Sequence, residues 1–340
     1  MQYDYLICVF LIHVFLYFFF KKKLLKTVVK IKLVDRPGKN KFHKKPIPVT
    51  GGIIIFISLI LYLFCNYFFP YFEKDLIDKK ILILFFGTFF VFFIGLVDDL
   101  LNIKAQKKII IITIFNILLF LNIDFFQTNM LIFDNFIISE NVNIVSLSLF
   151  VSVFGFLAYH YSLAIMDGIN GLFGTYVIIL LLLILIFFDL DFELKNLTLY
   201  IIFSMFFVTV LNFNGNLFLG NSGSLMMGTF VPYLLIYLYN IRESYFSIFT
   251  FISLVIIPIL DMIRLFFIRI LDRKSPFQKD MKHMHHLLIV RFSLFISLTF
   301  YLTLCFLPFV LINQFNADPL LVVLIQVSSF FTLAFNLNKK

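Results

Sequence analysis

The sequence predicts an all-α polytopic membrane protein with about eleven transmembrane helices, its N-terminus outside and its C-terminus in the cytoplasm. Three observations predict this. The 340 residues are 61% hydrophobic and only 14% charged, with a mean hydropathy of +1.02. A soluble domain is about 45–50% apolar and about 25% charged, so a soluble globule is excluded. The apolar residues also fall into runs of spanning length, and the basic residues lie almost entirely in alternate links between those runs.

A spanning helix needs roughly 20 mostly apolar residues. Eleven runs qualify, near 3–20, 52–70, 80–97, 108–123, 144–163, 172–188, 197–213, 224–240, 247–271, 291–313 and 319–337, the fourth being the shortest. Basic residues follow the first run rather than precede it, and no small-residue cleavage site appears, so it reads as a retained span rather than a signal peptide. Every link is shorter than a domain and no internal repeat is visible, which makes 1–340 a single integral-membrane domain. Cys8, Cys65 and Cys305 lie far apart inside apolar runs and form neither a zinc pattern nor a disulfide framework.

Lys and Arg accumulate on the cytoplasmic side of membrane proteins. Segments 21–51, 98–108 and 264–291 and the last two residues together hold 23 of the 28, and the alternate links hold only Lys74, Lys79, Lys80, Lys195 and Arg242. Eleven spans fit that parity. The net charge of +9 thus follows from topology and is not a nucleic-acid footprint. Basic groups in 21–51 would also attract anionic lipid, each contributing about 1 kcal/mol near the surface.

The links assigned to the cytoplasm are unusually polar and glycine-rich: "VDRPGKNKFHKKPIPVTGG" (34–52), "GLVDDL" (95–100), "AIMDGINGL" (164–172), "NFNGNLFLGNSGSLMMG" (212–228) and "KDMKHMHHLLI" (279–289). Asp98 and Asp99 end an apolar run, where ionisable side chains carry a functional expectation. Neighbouring helical positions point about 100° apart, so one carboxylate can act on substrate while the other binds metal or is held by a neighbour. Asp167 and Asn170 share a face if their segment is helical. Asn221, Ser222 and Ser224 read as caps just before the eighth span, between and beside Gly220 and Gly223, and free N–H groups at such a start make an anion site.

Three of the six histidines, His283, His285 and His286, stand within four positions. Structural zinc would want four well-spaced ligands, commonly with Cys, and none is near. With Arg273, Lys279 and Lys282 alongside, the segment reads as a cationic, donor-rich arm suited to a diphosphate. Carboxylates beside phosphates imply a divalent ion, and Mg²⁺ favours one or two carboxylates plus phosphate oxygens.

These stretches, in this order, resemble the polyprenyl-phosphate N-acetylhexosamine-1-phosphate transferases of glycosyltransferase family 4, and most of all the bacterial undecaprenyl-phosphate GlcNAc-1-phosphate transferase branch. The carriers are Asp35, Pro37, His43, Pro46, Pro48, Gly51 and Gly52; Gly95 to Asp99; the run around Asp167; the Leu-Gly-Asn-Ser-Gly-Ser run; and Asp280, His283, His285 and His286, all within 30–290. The resemblance implies transfer of a sugar 1-phosphate from a UDP-N-acetylhexosamine to polyprenyl phosphate, with release of UMP, on the cytoplasmic face of a bacterial inner membrane, at the start of a cell-envelope glycan such as lipopolysaccharide. Mg²⁺ or Mn²⁺ would be the cofactor, and a homodimer is left open.

By the same resemblance Asp98, Asp99 and Asp167 are catalytic, with Asp98 deprotonating or positioning the lipid phosphate. Asp99, Asp167 and Asn221 hold the metal. Lys41, His43, Asn170, Gly220, Ser222, Gly223, Ser224, Asp280, His283, His285 and His286 bind substrate. The chain departs from the family pattern at Asn221 and Asn170, where bacterial members favour Asp, and at Ala164 and Asn216. Two other readings stand beside the enzyme: a catalytically weakened paralogue or assembly partner, and a membrane transporter.

Overall fold

Ten of the eleven apolar runs, all those from residue 52 onward, each fold as one helix in the computed structural model. The structure describes residues 15, 33–37, 45–68, 79–122, 131–133, 136–138, 145–241, 247–277 and 280–338. The first run, apart from Phe15, lies outside these residues, as do Lys41, His43 and Lys279.

In chain order the elements are β1 (Val34–Asp35), β2 (Ile47–Pro48), α1 (Gly51–Phe68), α2 (Lys79–Leu101), α3 (Ala105–Asn122), β3 (Leu131–Phe133), β4 (Phe136–Ile138), α4 (Val145–Met166), α5 (Leu172–Phe187), α6 (Phe192–Phe213), α7 (Gly220–Ile241), α8 (Ile248–Leu271), α9 (Met284–Arg291), α10 (Leu294–Phe315) and α11 (Pro319–Asn338). Six of the described helices are long and apolar enough to cross a membrane, and three shorter apolar ones accompany them. The protein is therefore a helical, multi-pass membrane protein. The all-α expectation agrees with this architecture, to which two small antiparallel hairpins, β1 with β2 and β3 with β4, are the additions.

Two helix starts differ from expectation. The eighth span begins at Gly220, four residues before Ser224, because a carboxylate from α2 takes its first amides. The run near 291–313 is preceded by a separate short helix, α9, and its own helix starts at Leu294, where the Ser293 side chain accepts from the Ile296 amide.

The described chain divides into two compact units, Met1–Ile103 with Asn170–Met227, and Lys104–Ile169 with Gly228–Lys340. In the first unit α1 packs on α6 and on α2, and α5 packs on α6. Glycines set these approaches. A Cβ on Gly52 would lie 2.3 Å from the Gly223 nitrogen, and one on Gly95 would lie 2.5 Å from the Asn221 carbonyl oxygen. No larger residue fits while the backbones stay that close. The segment after β2 is tied to the start of α7: the Gly51 amide donates to Phe218 O (3.0 Å), the Gly52 amide to Leu219 O (2.9 Å), and the Phe218 amide to Pro48 O (2.8 Å).

In the second unit α8 is the hub, packed against α10, α11 and α4. Gln326 of α11 donates from its side-chain amide to Ser253 O and Leu304 O, each at 3.0 Å, pinning three helices with a buried polar group. Tyr233 of α7 donates to Asn116 of α3, and Thr229 pairs with Nδ1 of His160 in α4 at 3.2 Å. Within a bilayer such groups need partners inside the bundle, because the lipid offers none.

Candidate active site

Each unit carries part of the chemistry that the sequence points to. In the first unit the inner end of α2 presents Asp98 and Asp99 in succession. Asp98 is 5% exposed. Asp99 is only half-buried and turns its carboxylate onto the first turn of α7, where the Asn221 amide donates to Oδ1 (2.8 Å) and the Ser222 amide to Oδ2 (2.9 Å). Those amides have no partner within their own helix, and the positive end of the helix dipole favours a negative charge there. Of the two roles open to the second carboxylate, the structure shows the one in which a neighbour holds it.

The clamp changes the reading of the 220–224 run. Gly220 has φ +78°, and a Cβ there would come within 2.8 Å of Asp99 Oδ2, so glycine is needed both for the turn and for the approach. Ser222 is fully buried against Gly52, Ser224 Oγ donates back to Gly220 O at 2.9 Å, and Gly223 packs on Gly52. Asn221, Ser222 and Ser224, expected as caps, are instead inside the helix, and the cap comes from Asp99. The two amides that would have formed an anion site already hold an anion, the protein's own.

The turn after α4 is not helical, so Asp167 and Asn170 do not share a helical face. They also fall in different units. Just beyond Asn170, the Gly171 amide donates to Oδ1 of Asn212 at 2.5 Å, and Asn212 Nδ2 donates to Leu217 O at 3.0 Å. Asn212 was visible in its link as one polar residue among several, with no signal of this double bond.

In the second unit the histidines are not an exposed arm. His283, His285 and His286 are 5%, 3% and 7% exposed. His283 occupies the N-cap position of α9, yet its side chain makes no cap bond. The cap is Asp261 of α8, whose carboxylate accepts from the Met284 amide at 3.1 Å. Asp261 also lies 2.9 Å from His283 Nδ1 and 2.8 Å from an Arg264 nitrogen, and Arg264 donates onward to Lys282 O at 2.8 Å. A second clamp holds the preceding loop, with Arg269 donating to Asp280 (2.9 Å) and to Pro276 O (2.8 Å).

Asp280, expected to bind substrate, is thus committed to an ion pair. Partial burial opposes its ionisation, but the bonds from Arg269 and the Lys282 amide hold its carboxyl below the usual range. Asp261, Arg264 and Arg269 were missed by motif reading. The signal was an ionisable side chain inside the apolar run 247–271, which by itself marks a functional position.

The three imidazoles pack on one another. His283 and His285 stack with centroids 5.5 Å apart and planes within 5°, and His285 lies 4.3 Å from His286. Gly168 adjoins them, and a Cβ there would stand 2.9 Å from His286 Nε2. Burial, reinforced by His283, pushes the His286 ring down to about 4, and burial drives His285 well below the usual range. Both are therefore neutral near pH 7, each offering one N–H and one lone pair. Among the described residues, both ring nitrogens of His285 and Nδ1 of His286 are buried with no hydrogen-bond partner. Leaving such atoms unpaired costs about 1–3 kcal/mol each, which a polar ligand would relieve. The positive charge sits outside this cluster, on the exposed Arg273, Lys274 and Lys282.

The first unit thus presents two carboxylates at a helix junction, and the second, taken by itself, a nest of neutral imidazoles. Comparison with known proteins gives a likeness to a family. Residues 81–239 match glycosyl transferase family 4. Over these residues, a little under half of its length, the chain is similar to that family. It is 24% identical over 273 residues to the undecaprenyl-phosphate alpha-N-acetylglucosaminyl 1-phosphate transferase of Salmonella typhi, covering 78% of this chain and 71% of that one. The protein of the same name from Shigella flexneri is 25% identical over 283 residues, covering 81% and 73%. A probable undecaprenyl-phosphate N-acetylglucosaminyl 1-phosphate transferase of Bacillus subtilis is 24% identical over 277 residues, covering 78% and 72%.

Proposed function

We propose that the protein transfers a sugar 1-phosphate, GlcNAc-1-phosphate or a related N-acetylhexosamine phosphate, from a UDP-sugar to undecaprenyl or another polyprenyl phosphate, releasing UMP. The site would face the cytoplasm from a bacterial inner membrane and would start a cell-envelope glycan. The observation that carries this reading is the nest of buried imidazole nitrogens without a hydrogen-bond partner among the described residues, in a chain similar to this family, since such N–H donors suit the donor's diphosphate.

In the proposed step an oxygen of the lipid phosphate attacks the sugar-linked phosphorus, the bond from that phosphorus to the bridging oxygen breaks, and UMP carries that oxygen away. Asp98 holds or deprotonates the lipid phosphate. The imidazoles and the surface cations Arg273, Lys274 and Lys282 draw the donor's phosphates in. Charge spreads over the transferred phosphoryl oxygens, and positioned donors stabilise it.

A divalent ion suits these residues. Among those described, no three His, Cys, Asp or Glu side chains gather into a closed cage. An ion that takes one or two carboxylates and completes its shell with phosphate oxygens and water needs no such cage. Each Asp99 oxygen accepts one amide and keeps a lone pair for a cation. Asn221, at the same helix start, can contribute its carbonyl, and the metal role of Asp167 is what the family resemblance implies. Bound Mg²⁺ or Mn²⁺ would neutralise developing phosphate charge.

The departures at Asn221 and Ala164 favour a second reading, a weakened paralogue or assembly partner. The Asp99 clamp runs through backbone nitrogens, so Asn221 leaves it intact. Purified protein should release UMP only when UDP-N-acetylhexosamine, polyprenyl phosphate and Mg²⁺ are all present. No release across a panel of UDP-N-acetylhexosamines would end the transferase reading. Activity gained only by Asn221→Asp with Ala164→Asn would establish the weakened paralogue.

A further inference from the structure

Asp261 lies outside every motif that carries the family resemblance, yet the histidine nest is built on it. Four N–H groups converge on its buried carboxylate: His283 Nδ1, the Met284 amide, and Nε and Nη2 of Arg264. An ionised carboxylate can only accept, so the His283 bond fixes the proton on Nδ1 and leaves the lone pair on Nε2. The same carboxylate starts α9 through Met284, and that helix carries His285 and His286. His285 stacks on His283 with planes within 5°, so the orientation of the first ring is passed to the second.

We propose that Asp261 is the positioning residue of the histidine nest. Through Nδ1 of His283 it sets the tautomer and angle of that ring, and through the Met284 amide it sets the placement of the next two. It touches no substrate. Resting on the transferase reading, the proposal has His283 Nε2 use its lone pair to accept from an N–H or hydroxyl of the donor. This is the carboxylate–imidazole logic by which a buried acid holds a histidine in its working tautomer. A carboxylate serving only as a cap would not need the imidazole contact.

The test has two arms, both on the full chain in detergent micelles or nanodiscs. In the first, ¹⁵N-histidine spectra of wild-type protein are assigned for His283 by its loss in His283→Gln. The proposal expects an Nδ1–H, Nε2-lone-pair ring at neutral pH, moving toward a mixed tautomer in Asp261→Asn. A wild-type His283 protonated on Nε2 alone overturns it, whatever the variants do. In the second arm, Asp261→Asn should lower kcat/KM for the UDP-sugar by about 10- to 100-fold, the usual scale for losing a residue that orients a ligand-binding histidine. The same change in a His283→Gln background should cost clearly less than in the wild type, because the part that runs through His283 is already lost and only the part through the Met284 amide remains. Full multiplicative losses would make Asp261 an independent structural cap and overturn the proposal. If wild-type protein turns over no donor, the transferase reading fails, and the tautomer arm still decides the role of Asp261.

Discussion

The two adjacent carboxylates at the end of α2 separate into different tasks. Asp99 spends both oxygens on the first amides of α7, so Asp99→Ala should cost about 0.5–2 kcal/mol as a lost helix cap, read as a lower thermal midpoint in detergent. Asp98→Asn should leave that midpoint unchanged and reduce UMP release by about 10²- to 10⁴-fold, the usual share of one acid–base group. Near-normal turnover would remove Asp98 from the mechanism. The histidines give a third expectation. His285 and His286 are held neutral, the latter down at about 4, so below pH 6.5 the unfolded chain binds protons that the folded one refuses. Stability should be flat above about pH 6.5 and fall from there toward pH 4, with His286→Gln flattening the slope. The Asp280–Arg269 pair acts in a lower window, since a carboxyl held below its usual range loses its contribution only as pH falls past it.

Helix by helix, two starts share one device. Neither α7 nor α9 is capped by its own side chain; each begins on a carboxylate from another helix, Asp99 for α7 and Asp261 for α9. The sequence displayed the glycines, serines and histidines of those starts but not their caps, because the partners lie 122 and 23 positions away. Composition favoured Asn221, Ser222 and Ser224 as caps, and local propensity was overridden by a charged acceptor with better geometry. The glycines tell the same story. Gly52, Gly95 and Gly223 stood in the sequence as motif and link residues, and in the structure they are close-packing positions on helices. Gly52→Ala should therefore destabilise by about 1–3 kcal/mol, the scale of an overpacked contact, since its Cβ would fall 2.3 Å from the Gly223 nitrogen. Gly155→Ala, with nothing within 4 Å of its Cβ, serves as control and should be neutral or stabilising. Equal thermal midpoints for the two variants would contradict the packing role.

For the whole molecule, hydropathy was a sufficient guide to the ten long described helices, though not to the short α9, because a bilayer imposes run length directly and leaves little for tertiary context to change. Their partners were not legible: Gln326 with Ser253, Tyr233 with Asn116 and Asp261 with His283 are contacts between residues far apart in the chain, and no period or motif marks them. The expected orientation rests on a different signal, the 23 basic residues on one set of links against five on the other. Lys195, in the first turn of α6, and Lys274, after α8, are both exposed and stand on opposite sides in that assignment. With Cys8, Cys65 and Cys305 replaced by Ala, Lys195→Cys in intact cells should react with a membrane-impermeant maleimide, and Lys274→Cys should react only after permeabilisation. The bias is set by the translocation machinery reading short basic loops, so the outcome is independent of whether the protein turns over substrate. Labelling of Lys274→Cys from outside would invert the topology. It would place the histidine nest away from any cytosolic nucleotide sugar, and the proposed donor could not reach it.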